Sequence, residues 1–433
     1  MSSNTIEQLK QDLHPPLTRH EALVESDRCY FCYDAPCVTS CPTGIDIPLF
    51  IRQISTDNPK GSARTIFNEN ILGGMCARVC PTEELCEQAC VRNTAEDNPV
   101  RIGELQRYAT DHLIRTGKQP YVRAPSTGRR IAVVGAGPAG LACAHRLALY
   151  GHDVEILDAM PKSGGLNEYG IAAYKTVDDF AQSEVEYILS IGGISIKHNH
   201  ALGVDVTLDQ LLQQFDAVFL GLGLGTVNQV SIEGHDLEGV ADAVAIIREL
   251  RQASDLAALK VGRRTVVVGG GMTAIDAAVQ TRMLGAEEVT VVYRRGVDKM
   301  NASVFEQDLA KVNGVMIRTS LQPLRIHGED GNVTGVEFSY MQGEGDAFAP
   351  TGETLLIPCD RVLMAIGQQF VTSNTDDALE IHNGRIRVDA DRRTSNEKIW
   401  AGGDCIAGGE DLTVAAVQDG KLAAESIHAH LER

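Results

Sequence analysis

No long apolar run occurs anywhere in the 433 residues; a membrane-spanning helix needs roughly 20. Positive charge is also short: 39 Lys and Arg stand against 58 Asp and Glu, a formal net charge of −19. That balance argues against nucleic acid and against an anionic membrane surface as partners, since both repel a negative protein. The opening residues, MSSNTIEQLKQDLH, lack the apolar centre of a secretory signal, so the expected compartment is the reducing cytoplasm. Among the 12 histidines no pair has metal-ligand spacing, and His428 and His430 read as a solvated helix end. What remains is an ordinary globular composition, 43% hydrophobic and 22% charged, in a chain long enough for roughly two to four domains.

The organising stretch is IAVVGAGPAGLACAHRLALYGHDVEILD, residues 131 to 158. Ile131 to Val134 reads as a strand, and Gly135, Gly137 and Gly140 follow in G-x-G-x-x-G spacing with Pro138 and Ala139 between them. The first glycine makes the turn, the second admits a pyrophosphate and the third lets helix and strand approach. Leu141, Ala144, Leu147 and Ala148 give the helix an apolar face, and a second strand, Val154 to Leu157, ends in Asp158, an acid suited to ribose hydroxyls. The glycine motif alone is a weak signal, and a plain turn is the alternative; strand, helix and acid in register favour a dinucleotide, here FAD.

Eleven cysteines in a reducing compartment are expected as metal ligands, not disulfides. Eight precede residue 128, as Cys29-x2-Cys32-x4-Cys37-x3-Cys41-Pro42 and Cys76-x3-Cys80-Pro81-x4-Cys86-x3-Cys90. Zinc or unliganded buried thiols would also use such spacings. Two groups of four, each with a Cys-Pro, are similar to two-cluster ferredoxins, in which ligands are shared between groups, and point to two 4Fe-4S clusters. IPLFIRQI, ARTIFNENIL and RIGELQRYATDHLI read as helices around them, and TGKQPYVRAPSTGRR as a linker into the flavin strand. Cys143, Cys359 and Cys405 are expected to be packing thiols.

Beyond Asp158, Gly164-Gly165-Leu166 is a turn able to cover the flavin. Helical stretches follow near 177 to 191 and 207 to 214, and then DAVFLGLGLG reads as a buried strand and a crossing point. Residues 265 to 295 repeat the opening pattern, with Gly269, Gly271 and Ala274 as G-x-G-x-x-A around Met272 and Thr273. Such a repeat implies a second dinucleotide domain. Its second strand ends in Arg294-Arg295 where the first ended in an acid, which suits the 2′-phosphate of NADPH more than the free hydroxyl of NADH. Residues 315 to 365 alternate like an antiparallel appendage, with turns at GEDGNV and QGEGDA. RVLMAIGQ, containing Gly367, reads as a strand and turn at the return to the flavin. IWAGGDC ends a strand in Gly403-Asp404, with Asp404 placed to accept from the ribityl chain. A helix from near Thr413 would aim its amino end at the flavin ring, unless it simply packs behind a surface turn. The expected fold class is α/β with an N-terminal all-α domain: a helical two-cluster domain (1–128), then two Rossmann-like domains, FAD (129–226 and 364–433) and NAD(P)H (227–363), the second inserted in the first.

These motifs, above all CYDAPCVTSCPTGIDIPLFI and CARVCPTEELCEQAC…VRIGELQRYATD, resemble the electron-input part of the dihydropyrimidine dehydrogenase family and, more broadly, the small subunit of glutamate synthase. The resemblance covers the whole chain. It implies FAD between an NAD(P)H domain and two 4Fe-4S clusters. Carried over by position, one cluster takes Cys29, Cys32, Cys37 and Cys90, and the other Cys41, Cys80, Cys86 and Gln106, with Cys76 not a ligand. Gln106 in IGELQRY separates the two branches, because the glutamate synthase type carries Glu in an IGNIERY segment; by itself it would read as an exposed helical glutamine. Three positions depart from the pattern: GIAAYK puts Lys175 where relatives have arginine, Met272 stands where Asp or Asn is usual, and Asn301 replaces a basic residue, which weakens the case for NADPH. The resemblance implies hydride transfer from NADPH or NADH to FAD and single-electron exit through the clusters. No FMN barrel for reducing uracil or thymine is expected in this chain. The implied partner is therefore an FMN and 4Fe-4S catalytic subunit, as a heterotetramer. Competing readings are a glutamate synthase small subunit, a disulfide reductase of the thioredoxin reductase type, and a zinc-and-flavin binding module. The disulfide reductase needs a Cys-x-x-Cys beside the flavin, but Cys29/Cys32 lies far upstream.

Overall fold

A computed structural model describes residues 7, 9–228, 232–344, 347–371 and 378–432. The chain divides into two compact units. One holds His14–Glu168, Asp178–Thr226 and Gln369–Arg433; the other holds Tyr169–Val177 and Val227–Gln368 together with the described residues up to Leu13.

The first unit begins with helices α1 (Arg19–Ser26), α2 (Pro36–Thr39), α3 (Ile47–Ser55), α4 (Pro59–Glu69), α5 (Gly73–Val79), α6 (Val91–Glu96) and α7 (Ile102–Ile114). Local chemistry starts several of them. Thr18 and Glu21 form a capping box on α1, the Asp46 carboxylate accepts from the Leu49 amide before α3, and Asn58 caps α4 through Gly61. Phe50, Ile51, Ile54, Ile66, Leu105 and Ala109 are fully buried where α3, α4 and α7 meet.

After β1 (Arg130–Val134) come α8 (Pro138–Leu149), β2 (Asp153–Asp158), α9 (Phe180–Leu189), β3 (Ile194–His198), α10 (Leu208–Gln214) and β4 (Ala217–Leu220). β1 pairs in parallel with both β2 and β4, so ligand space opens beyond the carboxyl end of β1, where the strand order reverses.

In the second unit, β5 (Val240–Asp242), α11 (Ala243–Gln252), β6 (Arg264–Val268), α12 (Met272–Met283), β7 (Glu288–Val292), α13 (Val304–Val312) and β8 (Met316–Arg318) build another parallel sheet. Then β9 (Leu321–Glu329), β10 (Asn332–Glu344) and β11 (Ala347–Pro358) form the expected antiparallel appendage. Asp330 and Gly331 both take positive φ in the GEDGNV turn, as a tight hairpin requires. The QGEGDA turn lies partly outside the described residues. β12 (Arg361–Met364) pairs with β5 and β6, giving the order β5-β12-β6-β7-β8. RVLMAIGQ thus belongs to the nicotinamide sheet and not to the return to the flavin, because Val362 and Leu363 fill the core beside Val266 and Val267.

The chain rejoins the first unit as β13 (Ile399–Ala401), which pairs with β4, and α14 (Thr413–Leu431). The first sheet is then β13-β4-β1-β2-β3. The nested order of two Rossmann-like units behind a helical region is the expected fold. The start of the chain is different: Leu9 is buried in the core of the second unit and the Leu13 amide donates to the Tyr174 carbonyl. His428 and His430 also differ from expectation. His428 stacks on Tyr150 at 4.2 Å and bonds to His152 at 3.0 Å, while His430 meets Trp400 edge-on, so both are half-buried against aromatic rings. No helix among the described residues is long and apolar enough to cross a membrane.

Candidate functional site

The first dinucleotide turn sits at the carboxyl end of β1. Gly135 has φ +101°, and a Cβ there would stand 2.2 Å from the Gly221 carbonyl oxygen. A Cβ on Gly140 would meet the Gly135 oxygen at 1.9 Å, which is the close helix–strand approach. Gly137 is different: only the Gly165 Cα comes near its Cβ direction, at 3.8 Å. Gly137 is the N-cap of α8 and offers no side-chain cap, so the N–H groups that follow Pro138, beginning with Ala139 and Gly140, are left for an anion. Gly165 has φ +54° and closes over this turn, followed by the exposed Leu166.

Asp158 is buried, and its carboxylate accepts from the Ala136 amide at 2.6 Å and the Met160 amide at 2.7 Å. Burial raises its pKa against those two bonds. The acid thus braces the glycine turn, a role its position alone did not reveal. On the other side of the cradle, Gly403 takes φ +77°, a Cβ there would stand 3.2 Å from the Ala139 Cβ, and its amide donates to Asp419. Burial pushes Asp404 up to about 6, with Asp411 and Asp419 adding to the rise and Arg385 opposing it. Thr413, at the uncapped start of α14, donates to Asn167 Oδ1 at 2.8 Å. These residues come from four separate segments and surround one dinucleotide-sized turn with two bare helix ends, an arrangement that fits FAD.

In the second unit, Gly269 approaches the Ala365 carbonyl, a Cβ on Gly271 would meet nothing within 4 Å, and α12 starts at Met272, Thr273 and Ala274 with no side-chain cap. This again fits a nucleotide pyrophosphate. Arg294 is exposed just past β7, and the Arg295 carbonyl accepts from Ser320. Gly367 accepts from the Asn228 amide within the same unit. Lys175 is here too, its ammonium 2.8 Å from Asp276 and 2.6 Å from Glu306. Tyr174 donates to Asp276 at 3.0 Å. Asp276 and Glu306 escaped sequence reading; the only signal was an acid inside an otherwise apolar helical stretch.

All eleven cysteines are free thiols. Cys29, Cys32, Cys37 and Cys90 line one small cavity walled by Ile47, Ile51, Val100 and Ile102. Among the described residues no three such side chains crowd a single-ion position; the four thiols ring a space instead. Cys80 has Cys76, Cys86 and Cys41 as electrostatic neighbours and a hydrogen bond to Cys76. Burial pushes Cys37 up to about 12 and Cys86 well above the ordinary thiol value. Thiols gathered in two groups of this kind are the donor set that iron–sulfur clusters bind as thiolates, so both groups fit such clusters. Gln106 is buried on α7, and its Nε2 donates to the Gly73 carbonyl at 2.7 Å. The remaining three cysteines pack: Cys143 and Cys359 are buried, and the Cys405 thiol donates to Gly402 and Leu220 carbonyls.

Two nested glycine turns on parallel sheets define a flavin oxidoreductase that draws on a nicotinamide nucleotide. The likeness to a solved structure agrees at the level of fold: the FprA oxidoreductase of Mycobacterium tuberculosis in complex with NADPH matches with a TM-score of 0.60 at 18% identity, over 71% of this chain and 85% of that one. The chain belongs to the pyridine nucleotide-disulphide oxidoreductase family, whose model matches residues 129–420, and residues 6–118 match the model described as dihydropyrimidine dehydrogenase domain II, 4Fe-4S cluster. It is 34% identical to the NAD-dependent dihydropyrimidine dehydrogenase subunit PreT of Escherichia coli (strain K12), over 97% of both chains. It is likewise 34% identical to the NADPH glutamate synthase small chain of the same organism, over 97% of this chain and 94% of that one. The protein is thus an NAD(P)H-dependent flavin oxidoreductase with an iron–sulfur domain.

Proposed function

We propose that the chain is the electron-input subunit of a dihydropyrimidine dehydrogenase, oxidising NADPH or NADH and passing electrons through two 4Fe-4S clusters to an FMN and 4Fe-4S partner subunit that reduces uracil or thymine. The single observation that carries the choice is Gln106, buried on α7 in the IGELQRY segment where the glutamate synthase branch has an acid. Its amide nitrogen is held by Gly73, which leaves the amide oxygen as the donor for iron. Identity to PreT along nearly the whole of both chains supports the same reading.

The first cluster would be held by Cys29, Cys32, Cys37 and Cys90, the second by Cys41, Cys80, Cys86 and Gln106. Bound in this cradle, FAD would supply the capacity to accept a hydride and to release electrons one at a time. The chain's own contribution is placement. Gly137 and Gly165 keep the pyrophosphate path clear of side chains, and Asp158 holds the turn in shape. The first amides of α14 and the Asp404 carboxyl lie at the opposite side of the cradle, where the former favour negative charge and the latter can accept or donate according to its protonation. No protein nucleophile is required.

The test is an anaerobic assay of the purified chain, following NADPH and NADH oxidation with an artificial dye and with uracil, alone and with the candidate FMN partner. Dye reduction by the chain alone, with uracil reduction only in the mixture, is expected. The second reading, a glutamate synthase small subunit, has the equal 34% identity in its favour. Dye activity with no uracil turnover in any mixture would move the acceptor to that class.

A further inference from the structure

One buried acid has no part in the placement of the flavin. Glu184 lies on α9, whose face presents Phe180, Glu184 and Ile188 at four-residue spacing, all buried. Its Oε1 accepts from the Gly74 amide at 2.8 Å and the Met75 amide at 3.1 Å, and Oε2 accepts from Met75 at 3.3 Å. These amides open α5, which has no cap from its own N-cap residue. The acid therefore caps a helix 110 residues away in sequence. The fit is close, since a Cβ on Gly74 would stand 2.7 Å from Glu184 Oε1. The preceding residue, Gly73, gives its carbonyl to Gln106 Nε2, and the far end of α5 is Cys80. One carboxylate thus anchors the short helix that leads into one proposed ligand and fixes another.

The charged groups around it are few. On α5, Arg78 lies over the Phe180 ring at 3.3 Å and bonds to Asp111 of α7 at 2.9 Å; Asp111 also meets Arg107 at 3.4 Å. On α9 itself Tyr187 feels the Glu184 charge, and Asp111 of α7 adds a small repulsion. Burial pushes the Glu184 carboxyl up to about 8, against the two amides and Arg78, so its protonation changes in the physiological range.

We propose that Glu184 is the positioning residue of the second cluster: through Gly74, Met75 and Gly73 it fixes the Cys80 helix and the Gln106 amide, and it takes up one proton when that cluster takes up one electron. This rests on the ligand set proposed above. The electron comes from the reduced flavin and the proton from solvent; a Glu184 oxygen gains an O–H bond and no bond to iron changes. Two negative charges in a buried region oppose each other, so reduction and protonation assist one another.

The test uses the full chain with flavin and clusters, as wild type, Glu184→Gln and Glu184→Ala. Each is titrated reductively with both cluster signals followed by electron paramagnetic resonance, from well below to well above pH 8. In wild type one cluster's midpoint potential should fall as pH rises through this window while the other's stays level. Glu184→Gln keeps an acceptor for both amides, so it should retain the iron and the line shape and lose the slope. Glu184→Ala should change or lose the second signal alone. A slope that survives in Glu184→Gln, or potentials independent of pH for both wild-type clusters, overturns the proposal even if the alanine variant fails to fold. Failure of the two-cluster reading shows separately, as wild-type iron sufficient for one cluster only.

Discussion

The ammonium of Lys175 lies 2.6 Å from a carboxylate oxygen of Glu306, and Asp276 meets the same nitrogen at 2.8 Å. All three side chains are at most 9% exposed. Burial alone would lower the lysine pKa, but the two carboxylates reverse that and hold it above the ordinary value. Removing the cation leaves two buried acids facing each other. Lys175→Met should therefore destabilise the nicotinamide unit by about 3–5 kcal/mol, the usual cost of breaking a buried pair from one side. Denaturant melts should show an early transition while flavin absorbance persists. Loss of flavin with unchanged stability would instead mean that Lys175 acts on the flavin.

Gly137→Val asks a cleaner question. Nothing protein-derived stands closer than 3.8 Å to a Cβ at this position. The protein should therefore fold with an unchanged melting profile in the apo state, yet the added methyls would fill the pyrophosphate path. The expected product is a colourless protein. A variant that purifies yellow, with stoichiometric FAD, would remove this turn from the site.

Cys76 and Cys80 are one helical turn apart and hydrogen-bonded through their thiols, yet only Cys80 is proposed as a ligand. Cys80→Ser should lose one cluster, lowering iron content by about half, and keep the FAD. Cys76→Ser should keep both clusters. If the two variants lose iron equally, Cys76 is a ligand and Gln106 is not.

Arg294 is exposed two residues past the end of β7, one residue beyond Tyr293, which stands where Asp158 does in the flavin unit. Arg294→Ala should raise the Michaelis constant for NADPH by roughly tenfold, the loss of about one charge-assisted bond, with little change for NADH. An equal rise for both nucleotides would show that Arg294 does not read a 2′-phosphate.

The glycine turns could be read from sequence because their requirement is local. A Cβ on Gly135, Gly140 or Gly269 would stand 2.2, 1.9 or 2.1 Å from a backbone oxygen, so no other residue fits whatever the rest of the chain does. The helix starts at Ile47 and Ile102 followed from periodicity in the same way. Glu184, Asp276 and Glu306 could not be assigned so directly, because each partner lies on a different segment. Glu184 reads as one more acid in FAQSEVEYIL until α5 is placed against it. His428 was misread for the same reason: a histidine in the last turn of a helix looks solvated unless Tyr150 and His152 are known to face it.

His145 on α8 supplies a dependence on pH that can be tested without cofactors. It is buried, its Nε2 has no hydrogen-bond partner, and its ring meets Tyr121 edge-on at 5.9 Å. Burial, helped by Arg146, pushes it down to about 3, so the folded chain holds it neutral. Above the unfolded pKa of about 6.5 neither state binds the proton and stability is unaffected. Below that, the unfolded chain binds a proton that the folded chain refuses, and stability falls as pH drops toward the folded value. The slope from this one group is about 1.4 kcal/mol per pH unit. His145→Gln removes the titration while keeping a polar side chain. Denaturant unfolding of wild type and variant should run parallel above about pH 6.5 and diverge below it, with wild type losing stability faster. Curves that stay parallel down to about pH 5 would mean that His145 is protonated in the folded state.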